Sequence, residues 1–232
     1  PISPRWLGDE LVSDYPSIFN DAIGPVMRGP SSSHCAAALR IGRLARDLMA
    51  GDLDTVLVEF DPDGSLATTH TTQGSDMGLC GGLLGWEATD ERLVSSVQAI
   101  ADAGIRVTFS VTEIGATHPN TYKLTLSNAD ETHTMTAIST GGGMIEVTEI
   151  DGATVSMRGD AYEVLLSAPT DLGLPAQAVK AEFAVDDVFV HQGAYGDWVE
   201  IKAQQPLTDA KTAELAARFG VNWIRALSPV LP

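Results

Sequence analysis

The chain has 232 residues, a formal net charge of −17 and a sequence pI of about 4.4. Nucleic acid is excluded as a partner, because a polyanion requires the opposite charge. Hydrophobic residues make up 44%, which is enough to give one large domain or two small ones a real core. No apolar run approaches the length of a membrane span and no signal segment opens the chain, so we expect a cytoplasmic protein without a membrane partner.

The first predicted elements surround a run of small polar residues. Residues 1–14 are polar and contain two prolines, so we expect a leader there. Apolar residues recur at helical spacing after Cys35 and predict a helix that ends at Gly51. A serine oxygen commonly accepts a hydrogen bond from a free N–H at a helix start, so the serines before this helix are expected to cap it.

Apolar and β-branched stretches alternate with turns through the middle of the chain. Strands are predicted over residues 55–60, 65–67, 105–111, 122–126, 133–139 and 145–150. A buried short helix is predicted over residues 77–86, and an amphipathic helix begins at Asp90 and ends at Gly104. The expected buried face of that second helix is formed by Leu93, Val97, Ile100 and Ala101.

From Tyr162 onwards the pattern indicates a second compact unit. Strands are predicted over residues 162–167, 185–191, 198–203 and 221–227, and helices over residues 174–183 and 208–219. The resulting order is β-α-β-β-α-β. The sequence therefore predicts an α+β protein with a leader over residues 1–14, a first domain over 15–160 and a second domain over 161–232.

Hydroxyls and a histidine at the start of the first predicted helix are the strongest candidates for chemistry. Ser31, Ser32 and Ser33 directly precede His34. The free N–H groups and the partial positive charge of a helix start suit a small carboxylate or phosphate. Imidazole can serve beside it as an acid or base near neutral pH. On residue types alone, a helix cap with one surface histidine explains this run equally well.

Three further segments interrupt the predicted elements. The residues from Thr68 to Asp76 form a polar stretch ahead of a buried helix, and His118–Thr121 is a turn marked by proline. The run Gly141–Gly143 breaks a strand pattern. Its bare backbone suits a site against a ligand, and a flexible bulge is the alternative explanation.

Four segments, in order, resemble the beta chain, or beta domain, of iron–sulfur-dependent L-serine dehydratases. They are Asp21–His34 with Arg40-Ile41-Gly42, Gly74-Ser75-Asp76, His118-Pro119-Asn120-Thr121, and Ser139–Gly143 with Ile145-Glu146. The resemblance extends over about residues 15 to 170. It implies the serine dehydratase beta-chain fold, which is similar to the allosteric substrate-binding domain of some D-3-phosphoglycerate dehydrogenases. It also implies that the second domain is ACT-like, although the usual effector turn is not clear at Asp171-Leu172-Gly173.

The same resemblance implies a reaction and a cofactor. Proteins of this family convert a β-hydroxy amino acid to a 2-keto acid and ammonia, and a 4Fe-4S cluster binds the substrate hydroxyl as a Lewis acid. Several cysteine thiolates normally hold such a cluster, whereas this chain has only Cys35 and Cys80, without CxxC spacing. The family places the cluster cysteines on an alpha chain, which we therefore expect as a separate partner. Pyridoxal phosphate is rejected, because none of the four lysines lies in a Gly-rich phosphate-binding context.

The resemblance also assigns roles to the candidate residues. His34 is expected to transfer a proton, and Ser31, Ser32 and Ser33 to position the carboxylate or amine of a small amino-acid substrate. The other residues expected to line the same pocket are Gln73, Gly74, Ser75, Asp76, His118, Asn120, Thr121, Gly141, Gly142 and Gly143. The two remaining histidines in strand patterns, His133 and His191, are expected to be structural.

Two positions depart from the family pattern. Gln73 stands where the family usually has a histidine, and a glutamine can hydrogen-bond a substrate but cannot move protons. His70 lies three residues upstream and is a possible substitute. Cys35 stands where the family usually has threonine, and it is expected to pack as a small hydrophobe. Together these departures leave the identity of the β-hydroxy amino acid open.

Two functional classes are compatible with the sequence. The first is an enzyme subunit that is inactive without its alpha chain, in a hetero-oligomer. The second is a non-catalytic protein, such as a homodimer, that binds a small hydroxy acid or regulates another enzyme. The lack of cluster ligands agrees with both classes.

Overall fold

The structure is a computed structural model that describes residues 28–168, 172–182, 185–194 and 196–231. Several sequence-based expectations lie outside these ranges. They are the leader over residues 1–14, the start of the beta-chain signature up to Met27, Asp171 of the effector turn, and the predicted helix end at Phe183.

The described helices and strands follow one another as two groups. The first group contains α1 (Ser32–Leu48), β1 (Thr55–Phe60), α2 (Leu66–Thr69), α3 (Ser75–Leu83), a 3-10 helix (Glu91–Ser95), α4 (Ser96–Asp102), β2 (Arg106–Val111), β3 (Thr121–Ser127), β4 (Thr132–Gly141), β5 (Met144–Ile150) and β6 (Ala153–Met157). The second group contains β7 (Tyr162–Ser167), α5 (Gly173–Glu182), β8 (Asp187–His191), β9 (Trp198–Ala203), α6 (Asp209–Phe219) and β10 (Trp223–Leu227).

Each group builds one sheet. The first sheet has the order β2-β1-β3-β4-β5-β6, in which only β1 and β2 run parallel. The second sheet has the order β10-β7-β9-β8 and is antiparallel throughout. The predicted α+β class and the predicted β-α-β-β-α-β order of the second unit are both confirmed.

Helices α1 and α3 cover one face of the first sheet, and glycines let them approach backbone to backbone. A Cβ atom added to Gly78 would lie 2.1 Å from the carbonyl oxygen of Cys35, and one added to Gly82 would lie 2.0 Å from that of Leu39. Buried and partly exposed residues alternate along β1 and along β3, and the buried apolar residues face these helices. The positions of the motifs therefore depend on one close helix crossing.

The two sheets contribute residues to one apolar core. Leu165, Trp198 and Leu227 of the second sheet are buried in the same cluster as the helices and strands of the first. The opposite face of the second sheet forms a separate cluster with residues of α5 and α6. The predicted boundary near residue 160 falls between β6 and β7, and the core is continuous across it.

One predicted strand is wrong, and one observed strand was not predicted. Residues 65–67 do not form a strand, because helix α2 begins at Leu66 and Thr69 Oγ1 donates back to the carbonyl of Ser65 (2.6 Å). A strand of three residues would also have offered too few hydrogen bonds to pair. Strand β6, in contrast, was not predicted, although buried and exposed residues alternate along its five positions.

The amphipathic helix buries a different face from the one predicted. Its first turn is a 3-10 helix with three residues per turn, so the register shifts before α4 begins. Leu93, Ser96 and Ile100 are buried, whereas Val97 and Ala101 are exposed. The hydroxyl of Ser96 donates to the carbonyl of Met77 (2.7 Å), which satisfies this buried polar group.

In the part of the chain that the structure describes, no helix combines the length and apolar character needed to cross a membrane.

Candidate active site

The start of α1 uses a serine to orient a histidine. Ser31 precedes the helix in an extended conformation, and its Oγ atom is hydrogen-bonded to Nδ1 of His34 (2.8 Å). Its side chain therefore makes no capping bond to a backbone N–H, contrary to the predicted capping role. The backbone carbonyl of Ser31 still accepts the first helical bond, from the N–H of Cys35 (3.0 Å).

A second loop lies against this helix start. The N–H of Ser31 donates to the carbonyl of Gln73 (3.2 Å), and a Cβ atom added to Gly74 would lie 2.9 Å from the ring of Pro30. Gly74 has a positive φ of 84°, a conformation that glycine adopts without strain. The structure therefore brings the Ser31–His34 run into contact with the segment that begins at Gln73.

Gln73 contributes an acceptor without a partner. Its Oε1 atom is buried and has no hydrogen bond among the described residues. A buried acceptor without a donor costs about 1–3 kcal/mol. An incoming donor, such as the ammonium group of a substrate, would remove that cost.

The same loop holds an aspartate–histidine pair. Nδ1 of His70 lies 2.5 Å from Oδ1 of Asp76, and the hydroxyl of Thr71 donates to Oδ2 of Asp76 (2.8 Å). The His70 ring packs against Phe60 and Phe109, at centroid distances of 4.9 Å and 5.7 Å, and these two rings also stack on each other at 6.2 Å. The sequence showed His70 only as a neighbour of the substituted Gln73, and no spacing rule predicts its pairing with Asp76.

Ser75 is tied to the sheet by a tyrosine. Tyr122, on β3, is fully buried and donates its hydroxyl to Oγ of Ser75 (3.1 Å). Burial, reinforced by the nearby charge of Asp76, raises the pKa of Tyr122 to about 12. The phenol therefore remains a hydrogen-bond donor at any physiological pH, and it fixes the start of α3 against the sheet.

The His118–Thr121 turn is stabilised by hydrogen bonds among its own residues. The N–H of Asn120 donates to Nδ1 of His118 (3.1 Å), and the hydroxyl of Thr121 donates to the carbonyl of His118 (2.7 Å). Because Nδ1 accepts, the ring proton lies on Nε2 in the neutral form. Ser65 donates to the side-chain carbonyl of Asn120, which joins this turn to the start of α2.

His118 lines two neighbouring cavities. One, of about 300 Å³, also contains Thr121, Lys123 and Glu149, and the other has a volume of about 200 Å³. Neither cavity includes a described residue of the runs Ser31–His34 or Gln73–Asp76. A single pocket that combines His118 with those runs remains a prediction.

The three glycines form the β4–β5 hairpin. Their φ angles are 105°, 61° and 85°, in the order Gly141, Gly142, Gly143, so each has the left-handed backbone that favours glycine. Nη1 of Arg40 donates to the carbonyl of Gly143 (2.5 Å). Arg40 is buried in the middle of α1, and burial lowers its pKa. The hairpin is thereby held against the helix that carries His34.

The strand register places the candidate segments at one end of the first sheet. Glu59, near the end of β1, pairs with Lys123 near the start of β3. Thr121 pairs with Ile138, and the hairpin at Gly141 follows directly. The His118–Thr121 turn and the glycine hairpin therefore share one end of the sheet.

Comparison with known proteins identifies the family. No protein-family model matches the chain. The probable L-serine dehydratase beta chain of Bacillus subtilis (strain 168) is 40% identical over 174 residues, which span 74% of this chain and 78% of that protein. The L-serine dehydratase beta chain of Peptoniphilus asaccharolyticus is 34% identical over 166 residues, which span 70% of this chain and 72% of that protein.

The chain belongs to the family of L-serine dehydratase beta chains. The resemblance that the four motifs indicated is thereby confirmed.

The cysteines of this beta chain do not fit a four-iron cluster. Cys35 and Cys80 are both buried, and burial raises their pKa values to about 11 and about 12. Two cysteines are fewer than the several thiolates that normally hold such a cluster. Among the described residues, no group of three or more His, Cys, Asp and Glu side chains could hold a metal ion. Cys35 packs beside Gly29, where an added Cβ atom would lie 3.0 Å from its sulfur.

The two strand histidines of this beta chain make buried structural contacts. Nδ1 of His133 lies 2.6 Å from Oδ2 of Asp151. Although burial opposes the charge, the hydrogen bond and charge of Asp151 raise the pKa of His133. Nε2 of His191 lies 2.6 Å from Oε2 of Glu200 in the second sheet. Neither histidine belongs to one of the four family motifs.

Proposed function

We propose that this chain is the beta subunit of an iron–sulfur-dependent dehydratase that converts L-serine, or a related β-hydroxy amino acid, to a 2-keto acid and ammonia. Membership of the L-serine dehydratase beta-chain family supports the reaction class. The observation that carries the proposal is the contact between the Ser31–His34 run and the Gln73 loop. That contact sets an imidazole, several hydroxyls and an unpartnered amide oxygen around one helix start.

The helix start suits the substrate carboxylate. The first N–H groups of a helix have no carbonyl one turn earlier to bond, so the N–H groups of Ser32 and Ser33 lack helical partners. The hydroxyls of the same two residues lie beside these N–H groups. The first turn of α1 contains no acidic residue, so its partial positive charge is available to an anion. The unpartnered Oε1 atom of Gln73 would accept from the substrate ammonium group.

Dehydration requires removal of the Cα proton and departure of the β-hydroxyl. His34 would move a proton beside the bound substrate, with its ring held by the hydroxyl of Ser31. A 4Fe-4S cluster on a separate alpha chain would act as a Lewis acid towards the substrate hydroxyl. The presence of only two cysteines, 45 residues apart and without CxxC spacing, supports the placement of that cluster outside this chain.

The proposed assembly follows from this division. An alpha chain with the cluster cysteines is the proposed partner, in a cytoplasmic hetero-oligomer, and the beta chain alone would be inactive. The second unit is proposed to be an ACT-like domain, which its β-α-β-β-α-β order and its strand order support. The homodimeric, non-catalytic alternative has no specific observation in its favour.

Anaerobic co-expression with the alpha chain of an L-serine dehydratase tests the proposal. The complex is expected to release keto acid and ammonia from one member of a panel of β-hydroxy amino acids. The purified beta chain alone is expected to be colourless, without broad absorption near 400 nm, because two buried thiols cannot hold the cluster. A stoichiometric cluster on the isolated beta chain would overturn the division between subunits. A stable homodimer that binds a hydroxy acid but yields no product with any alpha chain would favour the regulatory alternative.

A further inference from the structure

We propose that His70, held by Asp76, is the catalytic base of this subunit and accepts the Cα proton of the substrate. This inference rests on the proposed function, because it assigns a role within the dehydration reaction. It adds a second proton-transfer group to His34 and replaces the histidine that is absent at Gln73.

The geometry of the pair is that of an oriented base. Nδ1 of His70 lies 2.5 Å from Oδ1 of Asp76, so the Nδ1–H group donates a hydrogen bond to the carboxylate. The lone pair of the neutral ring then lies on Nε2. The aspartate–histidine pairs of serine hydrolases use the same arrangement to set the tautomer and to stabilise the imidazolium that forms. Asp76 is itself oriented by the hydroxyl of Thr71 (2.8 Å).

The surroundings hold the ring while leaving Nε2 available. Phe60 and Phe109, which also stack on each other at a centroid distance of 6.2 Å, pack against the imidazole and restrict its rotation. Nε2 has no hydrogen-bond partner among the described residues, and the side chain is 19% exposed. An anchored ring with one nitrogen free to accept a proton is what proton abstraction requires.

His70 belongs to the loop that meets the proposed substrate. Its carbonyl accepts from the N–H of Ser75 (2.8 Å), and Gln73, within that turn, bonds the backbone of Ser31. The base, the unpartnered acceptor of Gln73 and the serine-rich helix start are thus parts of one hydrogen-bonded unit.

The two histidines differ in their partners, which supports different roles. Nδ1 of His34 meets a neutral hydroxyl that can donate or accept, so its tautomer can change during turnover. Nδ1 of His70 meets a carboxylate, which can only accept, so the ring is held in the tautomer with its lone pair on Nε2. His70 is therefore suited to remove a proton, and His34 to deliver one.

The proposed step balances. The Cα–H bond breaks and its proton moves to Nε2 of His70. The electron pair of the Cα–H bond forms the Cα=Cβ double bond. The Cβ–O bond breaks, and the oxygen leaves with the electron pair of that bond. The hydroxide then gains one proton and is released as water. The enamine then tautomerises when a proton is delivered to Cβ, the step suited to His34, and hydrolysis of the imine yields the keto acid and ammonia.

The test combines turnover with a measurement on the isolated chain. His70→Asn keeps a donor to Asp76 near the Nδ1 position and removes the basic nitrogen. In the complex with the alpha chain, it is expected to lower kcat by about 10²–10⁴-fold with little change in KM. Thr72→Val is the matched control, because it removes a hydroxyl of the same loop that bonds the carbonyl of Thr69 (3.2 Å) and leaves the pair intact, and it should stay within about fivefold of the parent.

Nitrogen-15 NMR of the isolated beta chain provides the readout that does not depend on the cluster. His70 is expected to show the Nδ1–H tautomer in the parent, and Asp76→Asn is expected to convert it to a mixture. An active parent complex in which His70→Asn turns over within threefold would overturn the role of His70 alone. A parent that shows the Nε2–H tautomer would overturn it as well, even if His70→Asn does not fold. An inactive parent complex would instead contradict the proposed function.

Discussion

The hydroxyl of Ser31 illustrates how one residue can serve chemistry at the expense of local structure. A serine at a helix start ordinarily accepts from a backbone N–H and stabilises the helix by about 1 kcal/mol. Here that oxygen is bonded to the His34 ring instead. The helix start therefore keeps its N–H groups free for a ligand, and α1 obtains its stability from packing along its buried side.

His34→Gln tests the role of this ring at the residue scale. If His34 transfers a proton, kcat of the complex should fall by about 10²–10⁴-fold, or roughly 3–5 kcal/mol in activation free energy. The free energy of unfolding should change by less than about 1 kcal/mol, because the side chain is only half-buried. Steady-state kinetics and urea denaturation measure the two effects.

Ser32→Ala is the matched comparison for that variant. Ser32 is exposed at the first turn of α1 and is proposed to bind the substrate carboxylate. Its loss should mainly raise KM, by about 1–3 kcal/mol of binding free energy. If His34→Gln turns over within threefold of the parent with the cluster intact, the proton-transfer role of His34 is wrong.

At the residue scale, the sequence predicts which residues belong to the candidate site better than it predicts which side chains pair with each other. The contact between the Ser31–His34 run and the Gln73 loop could be inferred because both runs belong to one family pattern. The pairing of His70 with Asp76 could not, since the two residues lie six positions apart on an irregular loop. Only the left-handed turn at Gly74 brings them together.

At the scale of elements, the crossing of α1 and α3 is set by glycines. The Cβ atoms that Gly78 and Gly82 lack would overlap carbonyl oxygens of α1. A carbonyl cannot move aside by changing a rotamer, so the whole helix would have to shift. Because α1 carries His34 and α3 begins at Ser75, that shift would separate the two halves of the site.

Gly82→Ala should therefore destabilise the protein strongly. The added methyl group would lie 2.0 Å from a backbone oxygen, so the cost should reach or exceed the 1–3 kcal/mol typical of overpacking. Gly104→Ala is the control, because its Cβ atom would meet nothing within 4 Å and only the positive φ opposes it. That strain costs roughly 1–2 kcal/mol. Urea denaturation of both variants compares them, and equal losses would show that α1 and α3 can separate freely.

Periodicity predicted most elements because it depends on neighbours in sequence. Strands β1, β3 and β4 alternate buried and partly exposed residues, and the pattern located each of them. The buried face of α4 was missed because a 3-10 turn precedes it, and such a turn changes the period without any signal in composition.

At the scale of the whole molecule, charged groups lie between the two sheets. Glu163 and Glu200 are 3% and 2% exposed, and Nζ of Lys202 lies 3.7 Å and 3.2 Å from their carboxylate oxygens. His191 hydrogen-bonds Glu200, and although burial opposes the charge, this bond and Lys202 lower the pKa of Glu200. Burial and the charge of Glu200 raise the pKa of Glu163 to about 9. Glu163 is therefore the protonated member of the pair.

This pair makes stability depend on pH. Between pH 4.5, the ordinary pKa of a glutamate, and about pH 9, the pKa of folded Glu163, the folded chain holds a proton that the unfolded chain has released. The contribution of Glu163 to stability is therefore complete below about pH 4.5 and is lost as the pH rises towards 9. The slope can reach about 1.4 kcal/mol per pH unit.

Glu163→Gln should remove that slope. Glutamine keeps the shape of the protonated acid, so the variant should be more stable than the parent at pH 8 and similar to it at pH 5. Glu113→Gln, at an exposed position, serves as the control and should leave the pH profile unchanged. Thermal unfolding from pH 5 to 9 measures the difference, and parallel profiles for Glu163→Gln and the parent would contradict the assignment.

The shared core was beyond the reach of sequence patterns, although the order of elements was not. Alternation shows that a strand has a buried face but does not show which distant element covers it. In the second sheet one face packs on its own helices, and the other adds Leu165, Trp198 and Leu227 to the core of the first sheet. Arg225 strengthens the junction, since it donates to the carbonyl of Leu48 (2.8 Å) and pairs with Glu131.

Truncation after Ala161 tests how far the first unit depends on the second. The motifs all precede that point, so a separable domain would fold and still bind its alpha chain. The shared core argues for dependence, because burial of three large apolar side chains contributes about 1.5–3 kcal/mol each. A sum of roughly 5–9 kcal/mol is comparable to the entire stability of many domains. We therefore expect the fragment to unfold at a much lower urea concentration than the full chain, or without cooperativity. A fragment that unfolds cooperatively at the midpoint of the full chain would show that the first unit is stable by itself.

Trp198→Ala in the full chain should lower the free energy of unfolding by about 3–5 kcal/mol, because it removes one of the large side chains from the shared core.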